Sequence, residues 1–385
     1  MQLKYGCNPH QSFANVEPID GENVPVELLN GNPSFINLLD ALNAWQLASE
    51  ARAAIGLPAA ASFKHVSPAG AAVATPLSED LARAYEVTGR ELTPVATAYV
   101  RARGADPKSS YGDFVAVSEP VDTDTAAFLA GVVSDGIVAP GYDDQALERL
   151  CAKKGGSFIV IRANAEFEPP QRERRELFGM SLTQDRNNES ARSSHLEDVV
   201  CGELTEDARR DLLLGLVALK YTQSNSVGYS LGGQMVGIGA GQQSRVDCTK
   251  LAGAKADVWF LGQHPKVLGL QFRKGIKRQE RINWRVRFIE GDLTPSEQQE
   301  LEGALDSQLM LLTPDERSKW LSRLDGVSLV SDGFFPFRDN IDHAAKHGVR
   351  YIAQPGGSIR DDEIGVACRE HGIAMAHTGL RLFHH

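Results

Sequence analysis

Apolar segments of strand length alternate with segments of helical periodicity along most of this chain. Residues 34–55 carry apolar side chains at helical spacing, and the glycine and proline at positions 56 and 58 end that helix. The small apolar residues 59–63 that follow predict a short buried strand. Because helices and strands that alternate along a chain bury their apolar faces against each other in layers, the pattern predicts an α/β fold.

The same periodicity predicts most of the remaining elements. Further strands are predicted at 113–118, 157–161, 349–353 and 373–377, and further helices at 124–134, 144–153, 206–220 and 361–371. Two strand-like runs flank Gly232-Gly233, which is a hairpin signal, and a helix is expected to begin near Gln243. Each half of the chain thus contains strands, helices and one glycine-rich turn, which is compatible with a duplicated α/β unit.

Two segments depart from this alternation. Residues 168–198 are highly charged and poor in long apolar runs, so they are predicted to form a connection that contains short elements. Residues 263–325 are charged and mostly helical in pattern, with helix start signals at Thr294 and Thr313. This second segment predicts an inserted helical piece.

Charge and cysteine usage exclude several classes of protein. The net charge of −10 argues against nonspecific nucleic-acid binding, and the longest uncharged stretch, 221–244, is too polar to span a membrane. No apolar segment typical of a signal peptide follows Met1. The five cysteines are never spaced Cys-x-x-Cys, so neither a disulfide framework nor a zinc site is expected. These features predict a cytoplasmic enzyme with reduced cysteines.

The adjacent pair Lys64-His65 is the first candidate for chemistry. A histidine can act as a general base near neutral pH, and a neighbouring cation can stabilise a developing oxyanion. The pair follows the predicted strand 59–63, and strand ends are where sites of α/β folds tend to lie. A surface lysine beside a structural histidine is the alternative that the pair alone leaves open.

Four other segments carry polar or aromatic groups in unusual density. Residues 221–226 offer hydroxyl and amide oxygens for a monovalent cation or a carbonyl group, or they simply cap a helix. The glycine-rich run 237–245 lacks the third glycine of a dinucleotide fingerprint, which leaves a phosphate loop with Arg245 or a tight structural turn. Residues 334–340 could hold a planar heterocycle or belong to the core, and residues 377–385 are a weaker signal because chain ends fray.

Motifs for several reaction types are absent. The chain has no His/Cys and Pro-Cys-x-x-Cys set of a zinc deaminase, no Gly-x-Ser-x-Gly elbow and no Walker loop. Reactions that depend on zinc, a serine nucleophile or bound ATP therefore lose support.

Taken together and in this order, five segments resemble the AICAR transformylase family, over essentially the whole chain. They are SFKHVSPAGAA (62–72), YTQSNSVGY (221–229), GIGAGQQSR (237–245), FFPFRDN (334–340) and LRLFHH (380–385). The resemblance implies two cytidine-deaminase-like α/β/α units in tandem with a helical insertion and no zinc. The expected units are residues 1–188, which hold the Lys-His pair, and 189–262 with 326–385, while the insertion occupies 263–325.

The resemblance also implies a reaction. The formyl group of 10-formyltetrahydrofolate is transferred to the 5-amino group of AICAR, which gives formyl-AICAR and tetrahydrofolate in purine (IMP) biosynthesis. His65 is then the base, working through the substrate carboxamide, while Lys64 stabilises the transition state and assists the leaving folate nitrogen. Asn225 orients the carboxamide or binds the oxyanion.

Binding residues follow from the same resemblance. The nucleotide is expected to contact Lys4, Tyr5, Gly112, Asp135, Arg245, Phe334 and Arg381, the last through its phosphate. The folate is expected to contact Val246, Asp339, Ser358 and Ile359. A structural potassium ion is expected at Thr222, Ser224, Ser226, Asp332 and His384. The implied assembly is a homodimer with active sites at the subunit interface.

The chain departs from the family pattern at a few positions. Lys4 stands where some relatives carry arginine, so a bidentate phosphate grip becomes a point-charge contact. Tyr111 replaces a phenylalanine and Gly379 an asparagine of some relatives. No cyclohydrolase segment precedes residue 1, so a separate IMP cyclohydrolase is expected to act next.

Two alternative functions stay open. A non-catalytic nucleotide- or folate-binding regulator would be expected to have lost its catalytic groups, but Lys64, His65 and Asn225 are all present. A formyltransferase with a different formyl donor is the other alternative, since the folate-side positions are the less distinctive ones.

Overall fold

The computed structural model describes residues 1–19 and 24–385, and its strands form two six-stranded sheets and one separate hairpin. The elements of the first sheet and its helices are β1 (Val26–Asn30), α1 (Phe35–Ile55), β2 (Ala59–Lys64), β3 (Ser67–Val73), α2 (Glu79–Ala84), α3 (Pro94–Ala105), β4 (Asp113–Val117), α4 (Thr123–Ala130), β5 (Ser134–Ala139), α5 (Asp144–Ala152) and β6 (Ile159–Ala163). The separate hairpin consists of β7 (Arg172–Leu177) and β8 (Met180–Asp185).

The second sheet follows in the rest of the chain. Its elements and those of the helical insertion are β9 (Asp198–Cys201), α6 (Glu206–Lys220), β10 (Val227–Ser230), β11 (Met235–Gly239), α7 (Arg245–Leu261), α8 (Pro265–Leu268), α9 (Arg278–Glu290), α10 (Pro295–Ala304), α11 (Pro314–Leu321), β12 (Val327–Ser331), α12 (Asp339–Ala344), β13 (Val349–Gln354), α13 (Asp361–Glu370) and β14 (Ala374–His377).

The two sheets have the same topology. The first has the strand order β3-β2-β4-β5-β6-β1, and the second has the order β11-β10-β12-β13-β14-β9. In each, the three central strands run parallel and the outer ones antiparallel. The strand–helix–hairpin order that opens the first half, β1-α1-β2-β3, recurs as β9-α6-β10-β11. The chain is therefore built from one α/β arrangement used twice.

The two halves meet along β3 and β11 and between α1 and α6. An antiparallel bridge pairs Ala72 with Gln234, and the Val73 N–H donates to the Gly233 carbonyl at 2.9 Å. Apolar residues of α1, α6 and both sheets form one continuous core. A buried ion pair crosses that core, because Lys220 on α6 donates to Glu50 on α1 at 2.8 Å.

Helices α8 to α11 fill more than half of residues 263–325 and pack with the end of α7 around a small apolar core, so the segment is mostly helical, as its pattern predicts. Thr294 and Thr313 each cap a helix through a reciprocal bond with a glutamate three residues later. No helix within residues 1–19 and 24–385 is both long and apolar enough to cross a membrane.

Most of the predicted elements are confirmed, with shifts at their ends. The helix predicted at 124–134 was too long, since α4 ends at Ala130 and Ser134 already begins β5. The strand predicted at 157–161 begins two residues later, at Ile159. The charged connection 168–198 contains the hairpin β7–β8, whose twelve strand residues are all exposed.

Candidate active site

Lys64 and His65 lie where β2 turns back into β3. Lys64 pairs with Ser67, so His65 and Val66 alone form the turn, and both have positive φ angles, 56° and 61°. A two-residue hairpin turn in which both residues have positive φ matches the right-handed twist of the flanking strands. Such turns normally contain asparagine and glycine at these positions. The histidine side chain is exposed, so it is free to meet a bound molecule.

The surroundings of Lys64 come from the segment before β4. Its Nζ donates to the Tyr111 carbonyl and lies 5.7 Å from the centre of the Tyr111 ring. Gly112, the next residue, has φ 73°, a conformation that glycine adopts without steric cost. Asp135, near the start of the neighbouring strand β5, is half-exposed and pairs with Lys154 at 2.8 Å.

The N-terminal segment packs beside this edge. The Tyr5 carbonyl accepts the Phe35 N–H at 3.1 Å, which places the segment against the start of α1. The exposed Lys4 side chain lies 5.7 Å from the Tyr5 ring centre. The predicted nucleotide contacts of the first half therefore lie around one end of its sheet.

A cleft of about 340 Å³ opens beside the Lys-His turn. It is lined on one side by Lys64, His65 and Ser67, and on the other by Ile238, Ala240 and Lys255 of the second half. Ser109, Leu251 and Lys255 also line a larger cavity of about 440 Å³ between α3, α7 and α9. The cleft thus lies at the junction of the two halves.

A second polar cluster surrounds Asp332, whose side chain is completely buried. Its carboxylate accepts the Ser224 hydroxyl at 2.6 Å and the Ser226 N–H at 2.9 Å, and it forms an ion pair with Arg245. The same guanidinium donates to Asn225 Oδ1 at 2.9 Å. The carboxylate therefore connects the polar segment 221–226 with the first residue of α7.

The side-chain amide of Asn225 forms three hydrogen bonds. Its Nδ2 donates to the carbonyls of Gln242 and Gln243, both at 3.0 Å, while Oδ1 accepts from Arg245. The two amide hydrogens are therefore already used, and Oδ1 retains one free lone pair.

The last residues of the chain are tied into this cluster. The Ser224 N–H donates to the His384 carbonyl and the His384 N–H donates to Ser224 Oγ, both at 3.0 Å. The Leu382 N–H donates to the Asp332 carbonyl at 2.8 Å. Arg381 remains exposed, with its guanidinium 4.9 Å from the Phe383 ring centre. The last residues therefore pack against the Asp332 cluster, although chain ends often fray.

The aromatic run 334–340 divides between surface and core. Phe335 is fully buried, whereas Phe334 is 43% exposed. Asp339 is the first residue of α12, and Val246 is the second residue of α7. Ser358 and Ile359 lie in the loop after β13. Ile359 is fully exposed. The predicted folate positions therefore gather near the carboxyl ends of β12 and β13, where ligands of α/β sheets bind.

The glycines of the run 237–245 have a structural explanation. A Cβ at Gly237 would lie 2.1 Å from the Ala252 carbonyl oxygen, and one at Gly239 would lie 2.2 Å from that of Cys248. These two glycines let α7 pack closely on β11. Only Gly241, with φ 67°, serves a turn. The glycines at 237 and 239 therefore give no support to a phosphate-binding loop.

The two halves use opposite ends of equivalent strands. Lys64, Gly112 and Asp135 lie at the amino ends of the parallel strands of the first sheet, whereas Asn225 and Phe334 lie at the carboxyl ends of the second. Because β3 and β11 run antiparallel, these ends come to the same side of the chain. One hydrogen bond joins them, from the Gln223 N–H to Ser67 Oγ at 3.4 Å.

Within one chain, however, the two sets remain separate. Among residues 1–19 and 24–385, no hydrogen bond or ion pair links Lys64 or His65 to Asn225 or Arg245. Neither Asn225 nor Arg245 lines the cleft beside the Lys-His turn.

Sequence reasoning did not identify Asp40, which is buried on α1. Its Oδ1 accepts the Val66 N–H at 2.6 Å. Burial raises the pKa of this carboxyl to about 6, although the Val66 N–H and the nearby His65 oppose that rise. A carboxylate within the apolar face of a predicted helix was the available signal, since such groups are rarely buried without a partner.

The described part of the chain contains no group of three or more His, Cys, Asp or Glu side chains arranged to hold a metal ion. The hydroxyl of Ser226 is buried and has no hydrogen-bond partner among the described residues.

Comparisons with known proteins agree on one family. The model of the family described as "AICARFT/IMPCHase bienzyme" matches residues 1–255. Proteins named "Bifunctional purine biosynthesis protein PurH" from Magnetococcus marinus, Persephonella marina and Aquifex aeolicus are 30%, 32% and 32% identical to the chain. Each alignment covers all of this chain and 59% of the relative, so the chain spans less than two thirds of the length of these relatives.

Proposed function

The chain belongs to the AICARFT/IMPCHase bienzyme family, and we propose that it transfers the formyl group of 10-formyltetrahydrofolate to the 5-amino group of AICAR. The products are formyl-AICAR and tetrahydrofolate, within purine biosynthesis. The observation that carries the proposal is the Lys64-His65 turn, which presents a base and a cation together at a cleft between the two halves.

The chemistry that this site must perform follows from the substrate. The attacking amine is conjugated with the imidazole ring and its carboxamide, which makes it a weak nucleophile. The protein must hold the amine against the formyl carbon, remove a proton and stabilise the tetrahedral oxyanion. The exposed His65 imidazole takes the proton, directly or through the carboxamide, and the Lys64 ammonium stabilises the oxyanion and assists the leaving folate nitrogen.

The hydrogen bonds of Asn225 favour one of its two expected roles. Both Nδ2 hydrogens are engaged by backbone carbonyls, so oxyanion binding through Nδ2 would require breaking one of these bonds. The remaining lone pair of Oδ1 accepts an N–H of the substrate carboxamide instead. Asn225 therefore orients the substrate.

Exposed groups around the two clusters supply the binding contacts. Arg381 binds the nucleotide phosphate with a planar pair of donors, and Lys4 adds a point charge. Tyr5, Gly112, Asp135 and Phe334 contact the remainder of the nucleotide. Arg245 acts mainly by fixing Asn225, because its guanidinium is already paired with Asp332. Val246, Asp339, Ser358 and Ile359 contact the reduced folate.

The proposed assembly is a homodimer whose active sites combine the Lys-His turn of one subunit with Asn225 and Arg245 of the other. The separation of these groups within one chain supports it. The hairpin β7–β8 supports it as well, since an isolated two-stranded hairpin is marginally stable in water and this one exposes its apolar tip. Phe178 and Met180 at that tip are 103% and 66% exposed.

A charge at the hairpin tip is expected to weaken the dimer. In Phe178→Asp, a desolvated carboxylate would oppose association, so sedimentation equilibrium should show a higher monomer fraction at unchanged circular dichroism. Arg172→Asp, at the exposed base of the same hairpin, is the control. A dimer equally stable in both variants would remove the hairpin from the interface.

A potassium ion fits the oxygen atoms around Asp332. The buried Ser226 hydroxyl has no hydrogen-bond partner among the described residues. Asp332 accepts the Ser226 N–H and the Ser224 hydroxyl, and the Ser224 N–H donates to the His384 carbonyl, while Thr222 completes the expected set of ligands. Hydroxyl, carbonyl and carboxylate oxygens suit a hard cation. The ion would have a structural role, which is to hold the segment 222–226 against the chain terminus.

Thermal unfolding tests this assignment. The Tm of the wild type is expected to be higher in potassium chloride than in tetramethylammonium chloride at equal ionic strength, because a ligand of the folded state stabilises it. Ser226→Ala should reduce that difference. A wild-type Tm that does not depend on the cation contradicts a potassium site.

The repeated topology supports a tandem of two cytidine-deaminase-like units, with residues 1–188 as the first unit. Residues 189–262 and 326–385 form the second unit, and 263–325 form the insertion. All five cysteines are free thiols, in keeping with a reducing compartment such as the cytoplasm.

The test of the proposed function is a spectrophotometric assay of tetrahydrofolate formation. Purified protein should form it only when AICAR and 10-formyltetrahydrofolate are both present. AICAR binding by calorimetry without turnover would favour another formyl donor or a non-catalytic binding protein.

A further inference from the structure

The turn that carries His65 has a backbone conformation that its residues disfavour. Val66 is β-branched, and such a residue at φ 61° is a genuine outlier among proteins. Conformations of this kind are energetically unfavourable and persist only where the surrounding structure enforces them. Some group must therefore hold the turn.

The carboxylate of Asp40 is placed to do so. It lies on α1, 7% exposed, directly behind the turn, and its Oδ1 accepts the Val66 N–H at 2.6 Å. The charges that act on this carboxyl are those of His65 and Asp135, which oppose each other. Both residues belong to the proposed active site, so Asp40 lies beside it without facing the cleft.

The second half of the chain contains the same arrangement of a helix carboxylate behind a hairpin turn, but its turn carries no proposed catalytic residue. Asp211 is the sixth residue of α6, as Asp40 is the sixth of α1, and it is also buried. Its carboxylate accepts the Gly232 and Gly233 N–H groups at 2.7 and 2.6 Å, in the turn between β10 and β11.

The two turns differ in the residues they carry. Gly232 and Gly233 have φ angles of 61° and 79°, close to those of His65 and Val66. The second turn thus uses glycines, which adopt this conformation freely, whereas the first uses a histidine and a valine, which do not. The strained residues therefore depend on their carboxylate clamp more than the glycines do.

We propose that Asp40 is a positioning residue, whose hydrogen bond to the Val66 N–H fixes the strained turn and so aims His65 at the substrate. This inference rests on the proposed function. Asp40 touches neither substrate, and it acts through the turn.

Removal of the acceptor is expected to misplace the base. Asp40→Ala should lower kcat by about 10- to 100-fold, because a misplacement of about 1 Å can cost that much. The KM for AICAR should change by less than about threefold, since the binding groups lie elsewhere. Asp40→Asn keeps an acceptor of the same shape, so its kcat should stay close to that of the wild type.

Asp211→Ala is the matched control. It removes the equivalent acceptor behind the glycine turn, so Tm should fall while kcat is retained. Asp40→Ser, which is polar but too short to reach the Val66 N–H, replaces Asp40→Ala if that variant does not fold, with the same loss expected. A folded Asp40→Ala or Asp40→Ser with wild-type kcat overturns the proposal, and so does an Asp40→Asn as inactive as the alanine variant.

A second readout does not depend on activity. The imidazole proton signals of His65 in NMR spectra should shift in Asp40→Ala and stay in place in Asp211→Ala. If the wild type formed no tetrahydrofolate, the proposed function would fail while this measurement still decided the role of Asp40. Unmoved His65 signals in Asp40→Ala would overturn the positioning role alone.

Discussion

Replacement of His65 by asparagine is expected to lower kcat/KM by about 10²- to 10⁴-fold, the range that a positioned general base contributes. Asparagine is the informative choice, because it enters the left-handed region more readily than most residues and so preserves the turn. It keeps a polar side chain but cannot take a proton near neutral pH. The measurement is initial-rate kinetics of tetrahydrofolate formation, with AICAR binding followed by calorimetry.

The control for this variant is His371→Asn, which alters a histidine at the end of α13 that contacts Asp342 rather than the cleft. Its kcat/KM should match that of the wild type. If His65→Asn retained more than about a tenth of the wild-type kcat/KM, proton removal by His65 would not be rate-determining. The base would then have to be sought elsewhere around the cleft.

The helices and strands that could be predicted from the sequence are those whose apolar residues recur with a regular helical or strand period. The helix predicted at 34–55 and the strand predicted at 59–63 show clear apolar patterns, and both are confirmed with small shifts. Helix α3 was missed because two of its buried residues are arginines. Arg103 pairs with Asp113 at 2.6 Å and Arg101 donates to the Gly232 carbonyl at 2.6 Å. Partners from distant segments make this burial possible, and no local pattern reveals them.

Strand β3 was missed for a related reason. Its segment, residues 67–73, contains serine, proline and glycine, which are depleted in strands. A Cβ at Gly70 would lie 2.1 Å from the Ala102 carbonyl oxygen, so this glycine is required by the close approach of α3. The strand is stabilised by pairing with β2 and by that helix, and both contacts depend on the folded chain.

The candidate residues of the site were proposed from short motifs, but their arrangement could not be predicted from the sequence. The candidate residues lie at opposite ends of the two sheets, and these ends face the same side of the chain only because β3 and β11 run antiparallel at the junction. That pairing joins residues more than 150 positions apart, such as Ala72 and Gln234. The strain in the His65-Val66 turn and the clamp by Asp40 are likewise visible only once the helix and the hairpin lie together.

Loss of the Asp332 carboxylate is expected to have the largest effect on stability. In Asp332→Ala, the free energy of unfolding should fall by about 3–5 kcal/mol, since one partner of a buried ion pair is removed. The side chains of Asp332 and Arg245 are 0% and 8% exposed, so the guanidinium would be left without its counterion in a largely dry environment. The Ser226 N–H and Ser224 hydroxyl would lose their acceptor as well.

The measurement is chemical unfolding at a fixed protein concentration, because association changes the apparent stability. Asp325→Ala is the control, since it breaks an ion pair with Arg350 whose side chains are 64% and 49% exposed. Such exposed pairs contribute about 0–1 kcal/mol, so the control should unfold almost as the wild type does. Equal losses in the two variants would show that Asp332 does not organise the cluster. A large loss in Asp332→Ala alone would show that this carboxylate anchors the cluster, because it pairs with Arg245, which in turn holds the Asn225 amide.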